Sequence, residues 1–209
     1  MLTSVSLSSG IIQQLQLALP TKQQRLAYFY FDKDQKEMTD TCDFLRAIVT
    51  QLVQNSDMTE DIFLNLFGPT SVAAIESFQA ASSQVLENVV TAIAGTTKVV
   101  VVIDALDECE DTKTLLGLIT RLLRARSVDV LMSSRPSASI RKAWDQLSTS
   151  QPAGACHELA LSPSMNKADI ALYVTETVES MITSRDLSLR DPKLREEIID
   201  ALKSRSDGM

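Results

Sequence analysis

An apolar run, Val99 to Ile103, ends in Asp104, and a second acidic pair, Asp107 and Glu108, follows three residues later. A carboxylate at the tip of a buried strand suits a hard, oxygen-seeking cation such as Mg²⁺, held directly or through water. A further carboxylate close by can polarise the water that attacks a phosphate. The same residues have a structural reading of equal weight: Asp104 ends a strand, and Asp107, Glu108, Glu110 and Asp111 form a solvated turn that caps the next helix. Downstream, Ser133-Ser134-Arg135-Pro136 ends another apolar run. If the two runs are neighbouring parallel strands, these polar groups share one edge of the sheet, where Arg135 could contact a terminal phosphate. Alternatively, Arg135 pairs with a nearby carboxylate in a structural ion cluster.

The elements that must position these groups are legible from periodicity. Lys98 to Asp104 (KVVVVID) is the clearest strand, because successive valines are poor helix formers and suit a strand covered on both faces. Leu26 to Phe31 (LAYFYF) and Val128 to Ser133 read as further buried strands, and Cys156 to Leu161 (CHELAL) alternates as a fourth. Helical spacing predicts a helix from about Asp40 to Gln54, carrying Phe44, Leu45, Ile48, Val49 and Leu52. A weaker helical stretch covers Asp57 to Phe67. Ser71 is expected to cap one long helix bearing Ile75, Phe78, Val85, Val89 and Ile93, closed by Gly95. Asp111 caps the next, with Leu115, Leu118, Ile119 and Leu122 on its apolar face, and a helix from about Ser137 to Leu147 follows. Two helices end the chain, one through Ile170, Val174, Val178 and Met181, the other through Leu194, Ile198 and Leu202, beginning at Asp191-Pro192. Buried strands separated by helices point to an α/β fold, a parallel sheet with helices on both faces.

Composition narrows the function classes. With 209 residues, 44% apolar and 22% charged, the chain is globular and long enough for a sizeable core. No apolar run approaches the roughly 20 residues of a membrane span, and no secretory signal opens the sequence. A net charge of −7 disfavours direct binding of nucleic acid or anionic lipid. Three widely spaced cysteines (Cys42, Cys109, Cys156) fit a reducing, cytoplasmic setting and no zinc site, and Cys109 reads as a buried thiol. The single histidine, His157, is expected beside the last strand and is given no chemistry. Arg121, Arg124 and Arg126 read as the solvated face of a helix. None of the six glycines precedes a lysine, so no G-x-x-x-x-G-K-[ST] phosphate loop is present.

VVVVIDALDEC followed by VLMSSRP resembles the Walker B and first sensor motifs of the NACHT family, signal-transducing P-loop ATPases of the STAND class. YFYF with its acidic turn, and ADIALYV at 168–174, resemble fungal nucleotide-binding receptors and the related nephrocystin-like N-terminal modules that precede ankyrin, WD40 or tetratricopeptide repeats. The resemblance implies a three-layer P-loop NTPase-like core over residues 1–163, with 164–209 starting a C-terminal helical extension. It implies Mg²⁺ and ATP or ADP as cofactors and self-association of the intact parent. By it, Asp104 takes the magnesium and nucleotide role, Asp107 and Glu108 the catalytic acidic role, and Arg135 the sensor role.

Leu7 to Ile12 resembles the helix that follows the family's phosphate loop, which would put the loop lysine near Ser4 and its glycine near Thr3. Neither residue type is there. The loop and the strand feeding it, which lies mid-sheet in related folds, are expected to be missing. On this reading the chain is a piece of a longer protein, or has lost nucleotide binding, and it should bind nucleotide poorly by itself. Two functions remain open: the core of an ATP/ADP-dependent signalling switch, and a non-catalytic interaction scaffold on a degenerate NTPase fold. A receiver-like phosphoacceptor reading fits less well, because Leu161 is followed by Ser-Pro-Ser-Met-Asn before Lys167.

Overall fold

A computed structural model describes residues 2–18, 24–35, 39–54, 61, 64–65, 67–68, 72–125, 127–161, 163–189, 191 and 193–205. The chain divides into two compact units, Met1–Cys156 and His157–Met209. In the first, α1 (Leu2–Ala18) leads to β1 (Gln24–Tyr30), then α2 (Thr41–Gln54), α3 (Val72–Gln79), α4 (Ser83–Ala94), β2 (Lys98–Asp104), α5 (Thr112–Leu122), β3 (Val128–Met132) and α6 (Ala138–Ser150). In the second, α7 (Pro163–Thr183) and α8 (Lys193–Arg205) pack on each other. Ile170 and Val178 of α7 and Ile199 of α8 are buried, and Glu179 pairs with Arg195. The sequence placed Leu194 and Leu202 on the buried face of α8, but both are exposed.

The three strands form one parallel sheet in the order β1-β2-β3, with Tyr28 beside Val102 and Val102 beside Leu131. Alternation sorts the side chains onto two faces. On one, Ala27, Phe29, Val99, Val101, Ile103 and Val128 meet the apolar faces of α2, α4 and α5 in the main core. Phe29, Phe31 and Phe44 interlock there, the Phe29 and Phe44 rings lying edge to face at 5.6 Å. On the other face, β1 and β2 are met by α1, whose Ser8 and Ile12 are buried.

β2 is the most deeply buried of the three strands. The sequence read β1 and β3 as equally buried, yet both alternate between more and less buried residues, and Leu131 of β3 is 42% exposed. The reason is topological: in a three-stranded sheet two strands are edges. The outer edge of β1 is blunted by Gln51 of α2, whose side-chain amide accepts from Tyr28 N–H (3.0 Å) and donates to Tyr28 C=O (2.8 Å).

Two other expectations change. Cys156–Leu161 is not a strand; the segment has no regular secondary structure, and Leu159 is 75% exposed. Alternation marks an amphipathic segment, but a strand also needs a ladder partner, and no described strand pairs with it. His157 is exposed. The long helix expected up to Gly95 is broken at Ala80–Ser82 into α3 and α4, with Ser82 accepting from Val85 N–H as the second cap. Ser71 lies outside the described residues, as does most of 57–67.

Asp111 caps α5 as expected, Ser137 caps α6 through Ile140 N–H, and Asp40 caps α2 through Cys42 N–H at 2.7 Å. The Asp111 carboxyl is held below its ordinary range, chiefly by the hydroxyl and N–H of Thr114. Arg121 lies at the surface, as expected, and is anchored there by an ion pair. Its Nε and Nη2 grip both oxygens of Glu87 at 2.8 and 2.9 Å, joining α4 to α5. The side chain of Glu87 is 10% exposed and that of Arg121 48%, so the two partners are unequal. Arg121→Ala strands a buried carboxylate and should lower the free energy of unfolding by about 1–3 kcal/mol, less than for a fully buried pair because water reaches the guanidinium. Glu87→Gln leaves no buried charge and should cost less. Urea unfolding of the two variants checks the order.

Candidate functional site

Parallel pairing brings the ends of β2 and β3 together, and hydrogen bonds continue past both strands: Ser133 N–H to Ile103 C=O at 2.9 Å, and Leu106 N–H to Ser133 C=O at 3.0 Å. Asp104, the last residue of β2, is 2% exposed. A carboxylate so deeply buried must find donors. It finds two hydroxyls, both on Oδ1: Ser8 of α1 at 2.8 Å, and Ser133 in a short contact. No described residue donates to Oδ2. Ser133 Oγ also accepts from Ala105 N–H at 3.3 Å.

Immediately after Asp104 the chain reverses. Ala105 takes a left-handed conformation (φ 54°, ψ 47°), costly for a residue with a Cβ, and a 3₁₀ turn follows over Leu106–Glu108. That turn aims the acidic pair at neighbouring loops. Asp107 Oδ1 accepts from Arg135 N–H at 2.9 Å and from Ser134 Oγ at 3.2 Å. Glu108 Oε2 accepts from Lys33 N–H at 3.2 Å, beyond the end of β1. Phe31 N–H bonds Asp104 C=O at 3.1 Å, and Tyr30 Oη lies 3.5 Å from Ser9 Oγ. The tips of three strands and the buried side of α1 are thus joined at one sheet edge.

The four residues singled out from sequence reach one sheet edge but fall into three groups there. Asp104 is the buried member, bound to serines; Asp107 and Arg135 touch directly, but through the arginine's backbone N–H. Among the described residues the Arg135 guanidinium pairs with no carboxylate, so the ion cluster considered from sequence does not form. Glu108 stands apart, tied to the β1 loop. No three His, Cys, Asp or Glu side chains among the described residues come together as a metal-binding group. Periodicity alone missed Ser8. Its signal was a small hydroxyl four residues before the buried Ile12, on the one helix stripe that meets the sheet.

Residues 4–135 match the family described as Nephrocystin 3, N-terminal. The chain belongs to that family. The match runs from α1 through Arg135 and so contains every residue of the site. No curated protein and no solved structure matches the chain. Among the described residues no helix is long and apolar enough to cross a membrane.

In this nephrocystin-type domain the three cysteines are free thiols. Cys109, beside the acidic turn, is buried, and desolvation pushes its thiol up to about 11, with nearby Asp111, Asp40 and Glu110 adding to the rise. Its thiolate is scarce at neutral pH. Alkylation of Cys109 at pH 8 should run about a hundredfold slower than for a reference peptide thiol, and accelerate as pH approaches 11. Mass mapping of iodoacetamide-labelled protein reads this directly. Because the folded value is raised, the thiol's contribution to stability is present below the unfolded value near 9 and is lost as pH climbs through about 11.

The two serines on Asp104 should be unequal. Ser133→Ala removes a donor to Asp104 and the acceptor for Ala105 N–H, and should destabilise by about 1–3 kcal/mol. Ser8→Ala leaves Asp104 with Ser133 and should cost less. Chemical unfolding of both variants tests the ranking.

Proposed function

We propose that the domain is the core of a NACHT-type, ATP/ADP-dependent signalling switch built on a P-loop NTPase-like fold. The observation that carries this reading is the meeting of Asp104, Asp107 and the Ser134–Arg135 segment beyond the C-terminal ends of adjacent parallel strands. Open α/β sheets bind their ligands at that edge. In this reading Asp104 and Arg135 face the nucleotide, Asp107 and Glu108 are the water-directing acids, and bound ATP or ADP sets which of two forms the intact parent adopts, including a self-associating one.

Magnesium fits the residues present in one respect: both serine hydroxyls occupy Oδ1 of Asp104, so Oδ2 is the oxygen that would reach the ion through water. The ion would supply charge neutralisation for a triphosphate. The protein donors alone do not make a metal centre, so the ion would arrive with its nucleotide. The grip on the β- and γ-phosphates is a different matter. With no Gly-Lys pair in the sequence, this chain lacks the backbone cradle and lysine that provide most of it.

A second reading, a non-catalytic interaction scaffold on the same fold, is favoured by the hydrogen bonds of the acidic pair. Asp107 and Glu108 each accept a backbone N–H, from Arg135 and Lys33, as residues that shape turns do.

Titration of the 209-residue chain with MgATP, followed by amide chemical shifts, separates the two. The switch reading expects binding in the millimolar range, with changes at Ala105, Asp107 and Arg135, and loss of the magnesium-dependent part in Asp104→Asn. Saturating MgATP that leaves those three amides unmoved would overturn it in favour of the scaffold.

A further inference from the structure

The opposite end of the same strands carries a second polar site. Three elements converge on a recess of about 420 Å³: α1 brings Gln16, β1 brings Gln24, Arg25 and Leu26, and α2 brings Gln51 and Gln54. The recess lies along the outer edge of β1. In a parallel ladder alternate residues turn their peptide groups to the same side. Tyr28 faces outward, as its bonds to Gln51 show, and Leu26, two residues earlier, therefore presents its N–H and C=O to that side as well. Gln51 occupies the Tyr28 position, and no described residue bonds the Leu26 N–H or C=O.

Arg25 is the charged residue lining this recess among those described. Its Nε is shut off from solvent and has no hydrogen-bond partner, and no carboxylate among the described residues pairs with it. An unsatisfied buried donor on a cation is expensive, and in a chain of net charge −7 carboxylates are plentiful enough to have supplied a partner. Gln16, Gln24 and Gln54 also line the recess, each with a side-chain amide able to donate and accept.

We infer that this recess binds a carboxylate, which takes the Arg25 guanidinium on its two oxygens and the Leu26 N–H beside it. A single guanidinium matches a monoanion better than a phosphate dianion, and planar two-point pairing is the geometry in which arginine binds carboxylates best. Two sources share this chemistry: a small free acid, and the C-terminal carboxylate of a peptide lying along the β1 edge. The site does not depend on the nucleotide reading, since it uses none of those residues.

The test is a ¹H–¹⁵N titration of the 209-residue chain with acetate, with tetra-alanine bearing a free C-terminus, and with the same peptide amidated. Both acids, or the free peptide alone, should shift the Leu26 amide and the Arg25 Nε–H resonance, and the amidated peptide should not. Equal response to acetate and peptide assigns the site to small acids; response to the peptide alone assigns it to chain termini. Arg25→Gln should weaken the response by about tenfold or more. If neither acid moves those two resonances, or the amidated peptide moves them equally, the inference is wrong; this comparison is made on the unmodified chain and holds even if the variant misfolds.

Discussion

One buried carboxylate organises the functional edge of this domain. Asp104 sits where β2 ends, almost wholly removed from water, and a carboxylate in that position is tolerable only if protein donors replace the lost hydration. Its two donors come from opposite directions in the sequence: Ser8 from the first helix and Ser133 from the segment after β3. Satisfying one side chain therefore fixes the placement of α1 over the sheet and the register of β3 against β2. The left-handed turn at Ala105 is held by the same hydroxyl that serves Asp104, which is how a strained residue persists there. From that turn follow the positions of Asp107 and Glu108, and hence their bonds to the β3 and β1 loops.

The sheet around this point is small, and its edges are handled differently. Gln51 fills one position on the β1 side by imitating a peptide group. Among the described residues the β3 side has no such plug, and Leu131 of that strand is exposed. The stability of the first unit thus rests mainly on one sheet face, where valines and phenylalanines of the strands meet α2, α4 and α5.

What the sequence reveals and conceals follows from the kind of physics involved. KVVVVID declares β2 because four consecutive β-branched residues have few other uses, and the Phe44–Leu52 stripe declares α2 by its spacing. Asp104, Asp107 and Arg135 were legible as neighbours because strand ends in parallel sheets are predictable meeting points. Partnership was not legible. Whether Arg135 meets Asp107 by its guanidinium or its backbone, and that the exposed Arg121 also reaches Glu87, depends on turn geometry and on contacts between residues far apart in sequence. CHELAL shows the same limit: its alternation is real, but a ladder needs a neighbour that no local pattern can guarantee. The break in the helix before α4 was hidden because Ala80 and Ala81 do not look like helix breakers, and Ser82 acts as a cap only once the chain has already turned.

The distribution of donors around the acidic residues also bears on function. A carboxylate retained only for structure is best served by donors on both oxygens, since each lone pair left unmet in the interior carries a penalty. Asp107 and Glu108 lie at the surface of a turn and meet backbone N–H groups, an arrangement that shaping the loop fully explains. Asp104 differs in its donors: two side-chain hydroxyls, from α1 and from the segment after β3, meet on its Oδ1. Oδ2 is not among the buried atoms that lack a hydrogen-bond partner, so the carboxylate is not left half satisfied. The serine pair therefore has a sufficient cause in the fold: it seats α1 and the end of β3 on the buried end of β2, and the acids that follow are placed by the turn that begins there.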